Sequence, residues 1–274
     1  MLRGLYSAGA GMIAQQRRQE MLTNNLTNAE TPGYKADQGS LRTFPNMLLS
    51  AIGTDHLQQY GTNRIGDLAT GVYMQEGTPN FLQGDIQETG NLTDMALLQG
   101  VVPEDEESGQ NAMLFYTVES DDGDVRYTRN GNFTIDGAGF LTTSQGHYAL
   151  DADGERINVD NEQIRVNAEG EIFSADDDLL GQLNVALVQD PAQLVKEGDG
   201  LLRYEGENEV VTAIGNDDVT YQIQQGFIER SNVDASQTMT EMMSAMRSFE
   251  ANQRVMQAYD RSLERAVNDV GRLG

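Results

Sequence analysis

Cysteine is absent from the 274 residues, which excludes disulfides, thiolate zinc centres and a cysteine nucleophile. No apolar run approaches the roughly 18 residues that span a bilayer. The opening MLRGLYSAGAGMIAQQRRQE has an early arginine but no continuous apolar core. A cleaved secretory signal is therefore not expected, and export by a signal-less route stays open. Basic residues are scarce: 18 Lys and Arg stand against 43 Asp and Glu, and only Lys35 and Lys196 are lysines. The net charge of −25 repels phosphate backbones, so nucleic acid is a poor partner. A nucleophile elbow, a phosphate loop and a dinucleotide fingerprint are all missing. The two histidines, His56 and His147, have no ligand-spaced neighbour and read as surface or loop residues.

The charge is unevenly spread. Residues 1–44 sum to +2 and residues 231–274 to −1, whereas residues 45–230 carry eight basic and 34 acidic side chains. Nearly neutral ends flank a strongly acidic middle.

Residues 231–274 hold no proline, and no glycine before Gly271. With Met239 and Met242 at the two apolar positions of a heptad, the same positions collect Met246, Phe249, Gln253, Met256, Asp260, Leu263, Val267 and Val270. Eight of these ten are apolar, and a 3.5-residue repeat held this long predicts a helix that supercoils against another helix. The alternative is a long amphipathic helix packed on its own domain. Ser231 with Asp234 is the expected capping box.

A second helix is expected over residues 2–28. Leu5, Met12, Gln19 and Leu26 recur every seven residues, with Ala8, Gln15, Leu22 and Ala29 as the companion line. Gly4, Gly9 and Gly11 each cost about 1 kcal/mol against alanine, a penalty that close helix approach can recover. The passage Asn24, Asn25, Leu26, Thr27, Asn28 precedes Pro32-Gly33, which stops the helix. Its asparagines read either as C-capping and turn residues or as donors to neighbouring chains.

From Arg42 to Leu98 the signals are mixed. Phe44, Met47, Leu48, Leu49 and Ile52 fit one or two helical turns, residues 71–76 and 85–88 look extended, and residues 103–110 form an acidic loop. Between Ala112 and Ile228 short alternating runs separated by turns predict an all-β domain, with strands over 113–118, 133–135 and 183–188. Asn130-Gly131 is the expected two-residue hairpin between residues 125–128 and Phe133, and Asp122-Gly123, Asp136-Gly137, Asp153-Gly154 and Glu169-Gly170 are further turns. The expected fold is α+β, with long, coiled-coil-like terminal helices flanking a central all-β domain. Its expected parts are a helical assembly domain (1–43 and 231–274), a connecting region (44–110) and a β domain (111–230).

Chemistry-bearing constellations are weak. The run from Asp151 to Glu155 resembles part of a calcium loop, but its glycine comes too early and the distal bidentate glutamate is missing. Asp176, Asp177 and Asp178 fit a solvated turn. Carboxylates are dense enough for some pair to reach a glycosidase separation, yet no apolar pocket is evident to raise one pKa. Neither catalytic residues, nor a metal, nor a cofactor is expected. A cell-wall glycan hydrolase and a calcium-dependent adhesion module are the alternatives to a structural protein.

Three segments carry a family pattern. Residues 23–35, from Thr23 through Asn24-Asn25-Leu26 to Pro32-Gly33-Tyr34-Lys35, resemble the N-terminal signature of bacterial flagellar rod and hook proteins. Gln225-Gly226-Phe227-Ile228-Glu229-Arg230-Ser231-Asn232-Val233-Asp234 is similar to the lead-in to that family's last helix, and Phe249-Glu250-Ala251-Asn252 to its core. Tyr127-Thr128-Arg129-Asn130-Gly131-Asn132-Phe133 resembles a central strand segment of the rod proteins. Where rod proteins follow a segment like Thr89-Gly90-Asn91-Leu92-Thr93-Asp94-Met95-Ala96-Leu97 with Gly-Asp-Gly-Phe-Phe, this chain departs from the pattern and runs into Leu98-Gln99-Gly100-Val101-Val102. Such divergence resembles the rod-type hook–basal-body proteins of Gram-positive bacteria.

The resemblance implies a hollow helical tube lined by terminal helices, with the β domain facing outward. It further implies partners among copies of itself and other rod and hook subunits, and export through the flagellar type III apparatus without a cleaved signal. Membrane insertion is not expected. On the heptads and the resemblance together, the expected assembly interface comprises Leu5, Met12, Leu22, Asn24, Asn25, Leu26 and Asn28, with Met239, Met242, Met246, Phe249, Asn252, Met256, Leu263, Val267 and Val270.

Overall fold

The computed structural model describes residues 2–45, 47–51, 63–68, 71–75, 77–104, 109, 111–161, 163–206 and 210–271. His56, Ile52 and the acidic run 105–107 lie outside the described residues. Two helices flank a β-rich central region, an α+β arrangement. The chain divides into two compact units: residues 1–27, 37–78 and 234–274 form the first, residues 28–36 and 79–233 the second. The stretch 44–110 contributes strands to both.

In the first unit, α1 (Leu2–Thr27) packs against α2 (Ala235–Gly271). Gly4 faces Tyr259 and Gly11 faces Asn252, so a seven-residue step up one helix matches a seven-residue step down the other. The pairing is antiparallel. A Cβ on Gly4 would fall 2.0 Å from the Tyr259 hydroxyl oxygen, and one on Gly11 2.8 Å from Asn252 Nδ2. Gly4 and Gly11, which weaken α1 as an isolated helix, thus make room for larger side chains opposite. Farther along, Arg18 donates to Glu241 at 3.0 Å.

The inward line of α2 keeps the expected period but not the expected phase. Met242, Phe249, Met256 and Leu263 are half-buried, as read from the sequence. The alternating positions are Thr238, Ala245, Asn252 and Tyr259, buried or half-buried, whereas Met239, Met246, Gln253, Asp260 and Val267 are exposed. The cause is steric: an α1 surface bearing Gly4, Ala8 and Gly11 admits a close neighbour and sets the phase through Tyr259 and Asn252. On α1, Ala8 and Leu22 are buried, and Leu5, Met12, Gln15, Gln19 and Leu26 half-buried.

The α2 cap differs too. The helix begins at Ala235, and Asp234 Oδ1 accepts from the Gln237 amide at 3.0 Å, so Asp234 is the N-cap and Ser231 lies outside the helix.

Strand Leu41–Thr43 pairs with Val72–Met74, and Gly71 lies against Ala10 of α1. Asn25, at the end of α1, donates to the Asp37 carbonyl (2.8 Å) and accepts from its amide (2.9 Å). Residues 47–51 are a strand, not helical turns, because Met47–Ala51 finds a ladder on Asn63–Leu68.

Among the described residues, the regular elements of the second unit are strands, apart from a 3-10 turn at Pro191–Gln193. Strand Met113–Glu119 is the hub of a nine-stranded sheet, pairing with Val125–Thr128, Tyr148–Ala149 and Val185–Val188. The Asp122-Gly123 turn joins the first two of these, with Gly123 at φ +83°. Asn130-Gly131, however, does not close a hairpin. Val125–Thr128 pairs with Met113–Glu119 and Leu201–Tyr204, while Phe133–Ile135 pairs with Leu141–Thr143. Neither Asn130 nor Gly131 has the positive φ that a two-residue hairpin turn demands, and the Gly131 carbonyl instead accepts from the Met95 amide at 2.9 Å. Met95, Leu97, Leu114, Tyr116, Val118, Leu141 and Ile172 make up the fully buried centre.

Candidate functional site: a buried charged clasp

Charged side chains are costly to bury without a partner, yet Lys35, Arg129 and Glu229 are 4, 2 and 1 % exposed. They meet inside the second unit. Glu229 Oε1 accepts from Lys35 Nζ (2.6 Å) and from the Gly84 amide (2.8 Å), and Oε2 from Arg129 Nε (2.6 Å). The other two Arg129 nitrogens donate to the carbonyls of Leu114 and Leu97, and Lys35 Nζ also donates to that of Leu82. Every nitrogen and oxygen of the three charged groups thus has a partner, the condition under which buried charge is tolerated.

Local structure brings each member in. The Gly33 amide donates to the Glu229 carbonyl at 2.8 Å, with Gly33 at φ +69° and its Cα pressed against the backbone of Arg129 and Asn130, where a Cβ would fall at 2.4 Å. Only glycine fits that approach. Asn232 accepts from the Ala36 amide and donates to the carbonyls of Asn80 and Leu82. Lys196 completes the surround, donating to the Lys35 carbonyl at 2.7 Å and lying 4.2 Å from the Tyr34 ring centroid. A chain with two lysines places both here.

Burial alone would raise the Glu229 carboxyl, but Arg129 and Lys35, through charge and hydrogen bonds, outweigh it and hold the group below the usual carboxylate range. For Lys35 the balance tips the other way. Burial depresses the ammonium below its ordinary value, Arg129 adds to this, and Glu229 offsets it only in part. Burial also pushes the Tyr116 phenol up, and its hydroxyl donates to the Met95 carbonyl.

A carboxylate held ionised by two cations is a poor general acid. The other deeply buried carboxylate among the described residues, Asp94, is likewise occupied by Thr89, Asn91 and Asn132. In the Asp151 turn, one carboxylate oxygen accepts from the amides of Asp153 and Glu155. His147 lies in the loop between strands Leu141–Thr143 and Tyr148–Ala149, as a loop residue was expected to, but at 6 % exposed it is buried and not at the surface.

The residues expected to form an assembly interface are spread over all degrees of burial. Leu22 and Asn25 are buried; Leu5, Met12, Leu26, Asn28, Met242, Phe249, Asn252, Met256 and Leu263 are half-buried. Asn24, Met239, Met246 and Val267 are exposed, and the Val270 side chain is outside the described residues. Tyr6, Ile13, Met243 and Val255 of the two helices are exposed as well.

Sequence reading gave no role to Lys35, Arg129 or Glu229. Two signals were available: the scarcity of lysine, and the presence of all three residues in the segments 23–35, 127–133 and 225–234 that carry the family resemblance.

Each clasp charge comes from one of three segments that also match known family models. Residues 5–35 match the flagella basal body rod protein model, residues 113–174 the D1 domain of the flagellar hook protein FlgE/F/G, and residues 224–269 the C-terminal domain of the flagellar basal body rod FlgEFG proteins. The chain belongs to the flagellar rod and hook–basal-body protein family. Its relatives include the flagellar hook-basal body complex protein FlhO of Bacillus subtilis, 44 % identical over the full length of both chains. The flagellar basal-body rod protein FlgG of Borreliella burgdorferi is 30 % identical, and that of Bacillus subtilis 27 %, each covering at least 98 % of both chains.

Proposed function

We propose that this protein is a structural axial subunit of the bacterial flagellar basal-body rod. In this role its terminal helices pack in coiled-coil fashion with those of other copies and of other rod and hook subunits. The product is a hollow tube that transmits torque and passes exported chains. The subunit itself leaves through the flagellar type III apparatus without a cleaved signal, performs no catalysis, and engages neither nucleic acid nor the membrane interior. No helix among the described residues is long and apolar enough to cross a membrane.

One contrast carries this reading. The first unit holds ten basic and eleven acidic residues, the second eight and thirty-two. The nearly neutral helical unit also displays Tyr6, Ile13, Met239, Met243, Met246 and Val267 to solvent. Apolar side chains exposed on a neutral surface mark an interaction face, and strong like charge marks a surface that stays solvated. The terminal segments 1–43 and 231–274, through helices Leu2–Thr27 and Ala235–Gly271, thus serve for assembly, while the acidic β domain of 111–230 stays solvated.

Changing Met239, Met243 and Met246 together to Glu tests this. The monomer should remain folded, while its incorporation into isolated basal bodies, read by immunoblot and by motility, is lost. Normal incorporation would refute the assembly role of this face.

A further inference from the structure

Glu229 draws its partners from distant parts of the chain. Lys35 is 194 residues away, Gly84 145 and Arg129 100. The backbone shows the same dependence. Strand Met95–Gln99, with Met95, Ala96 and Leu97 buried, has its ladder on Tyr221–Gln225, and Ile86–Glu88 has its ladder on Phe227–Glu229. The sheet around Met113–Glu119, by contrast, is closed by strands lying between Val125 and Thr212.

Loop closure costs entropy that must be met before the contact rewards it, and the cost grows with separation. Two further penalties act before residue 229 is in place. Lys35 and Arg129 would sit in the interior without a counter-charge, and residues 95–99 would bury backbone groups without a ladder. Neither arrangement is stable alone.

We propose that Tyr221–Gln225 and Phe227–Glu229, with Glu229 at their end, form a closing latch. The sheet spanning residues 113–212 forms first; segments 33–36 and 86–99 stay unlocked until the latch joins and docks Lys35 and Arg129 in one step. A chain delivered N-terminus first, from a ribosome or through a pore, therefore completes this unit only after residue 229 of 274 has emerged. The inference stands apart from the assembly reading, because it concerns how the isolated chain folds.

Pulse-labelled hydrogen exchange during refolding of the full chain tests it. Amides of 86–88, 95–99 and 221–229 should gain protection together, about tenfold more slowly than those of 113–118 and 185–188. In native full-length Glu229→Gln, exchange at the first set should accelerate about tenfold or more, with less than about threefold change in the second. A single refolding phase common to both sets would overturn the proposal, as would equal acceleration of both sets in the variant. The wild-type refolding arm decides even if the variant does not fold.

Discussion

Gly4 and Gly9 lie on the same helix, and intrinsic propensity says that alanine improves both by about 1 kcal/mol. Packing separates them. A Cβ on Gly9 meets nothing within 4 Å, so Gly9→Ala should stabilise the first unit by about that amount. A Cβ on Gly4 lands 2.0 Å from the Tyr259 hydroxyl oxygen and 2.5 Å from Cζ. The ring must move, and overpacking of this kind costs roughly 1–3 kcal/mol. After the propensity gain is subtracted, Gly4→Ala should lose about 1 kcal/mol, leaving about 2 kcal/mol between the variants. At about 4 °C per kcal/mol for a unit of this size, their melting temperatures should differ by roughly 8 °C, followed by circular dichroism at 222 nm on the purified chain. Placing Gly4→Ala in a Tyr259→Ala background should remove the penalty, since the coupling is between those two positions. Equal shifts in the same direction for both glycine variants would refute the close approach of α1 and α2.

Glu229→Ala leaves two buried cations against no carboxylate, and should cost about 3–5 kcal/mol in urea unfolding of the second unit. Lys35→Met keeps the Arg129–Glu229 pair, and in the same measurement should lose less than half as much. Because folding depresses the Glu229 pKa, its contribution is fully present above the ordinary carboxyl value of 4.5 and is lost as pH falls through the depressed folded value. Wild type should therefore lose stability below about pH 4.5 more steeply than Glu229→Gln, as urea midpoints across that range would show. Asp234→Ala removes the α2 N-cap and should cost about 1 kcal/mol, seen as earlier loss of helical signal on heating.

What could be read from the sequence divides by the range of the interaction responsible. Helix existence, β content and the Asp-Gly turns come from neighbours within seven residues or fewer, and these are legible. The phase of α2 is not. Met239 and Met246 repeat with the same period as Thr238 and Ala245, so periodicity cannot choose between them; Tyr259 and Asn252, seated over glycines of another helix, do. Asn130-Gly131 fails as a hairpin for a similar reason, since Met95, far away in the chain, claims the Gly131 carbonyl. Residues 47–51 are apolar enough for either structure, and the ladder on Asn63–Leu68 decides for strand.

The clasp is the extreme case, with partners 100 to 194 residues apart, and no local pattern can place such a contact. Yet the segments that carry the family resemblance are those that supply Lys35, Arg129 and Glu229. Each reads locally as a turn, a strand end or a helix lead-in, roles that demand glycine, proline and asparagine but no charge. The charge in each is accounted for only when all three meet. Changing any one of them alters what the other two must tolerate in the interior, so the three motifs act as a single structural element distributed along the chain.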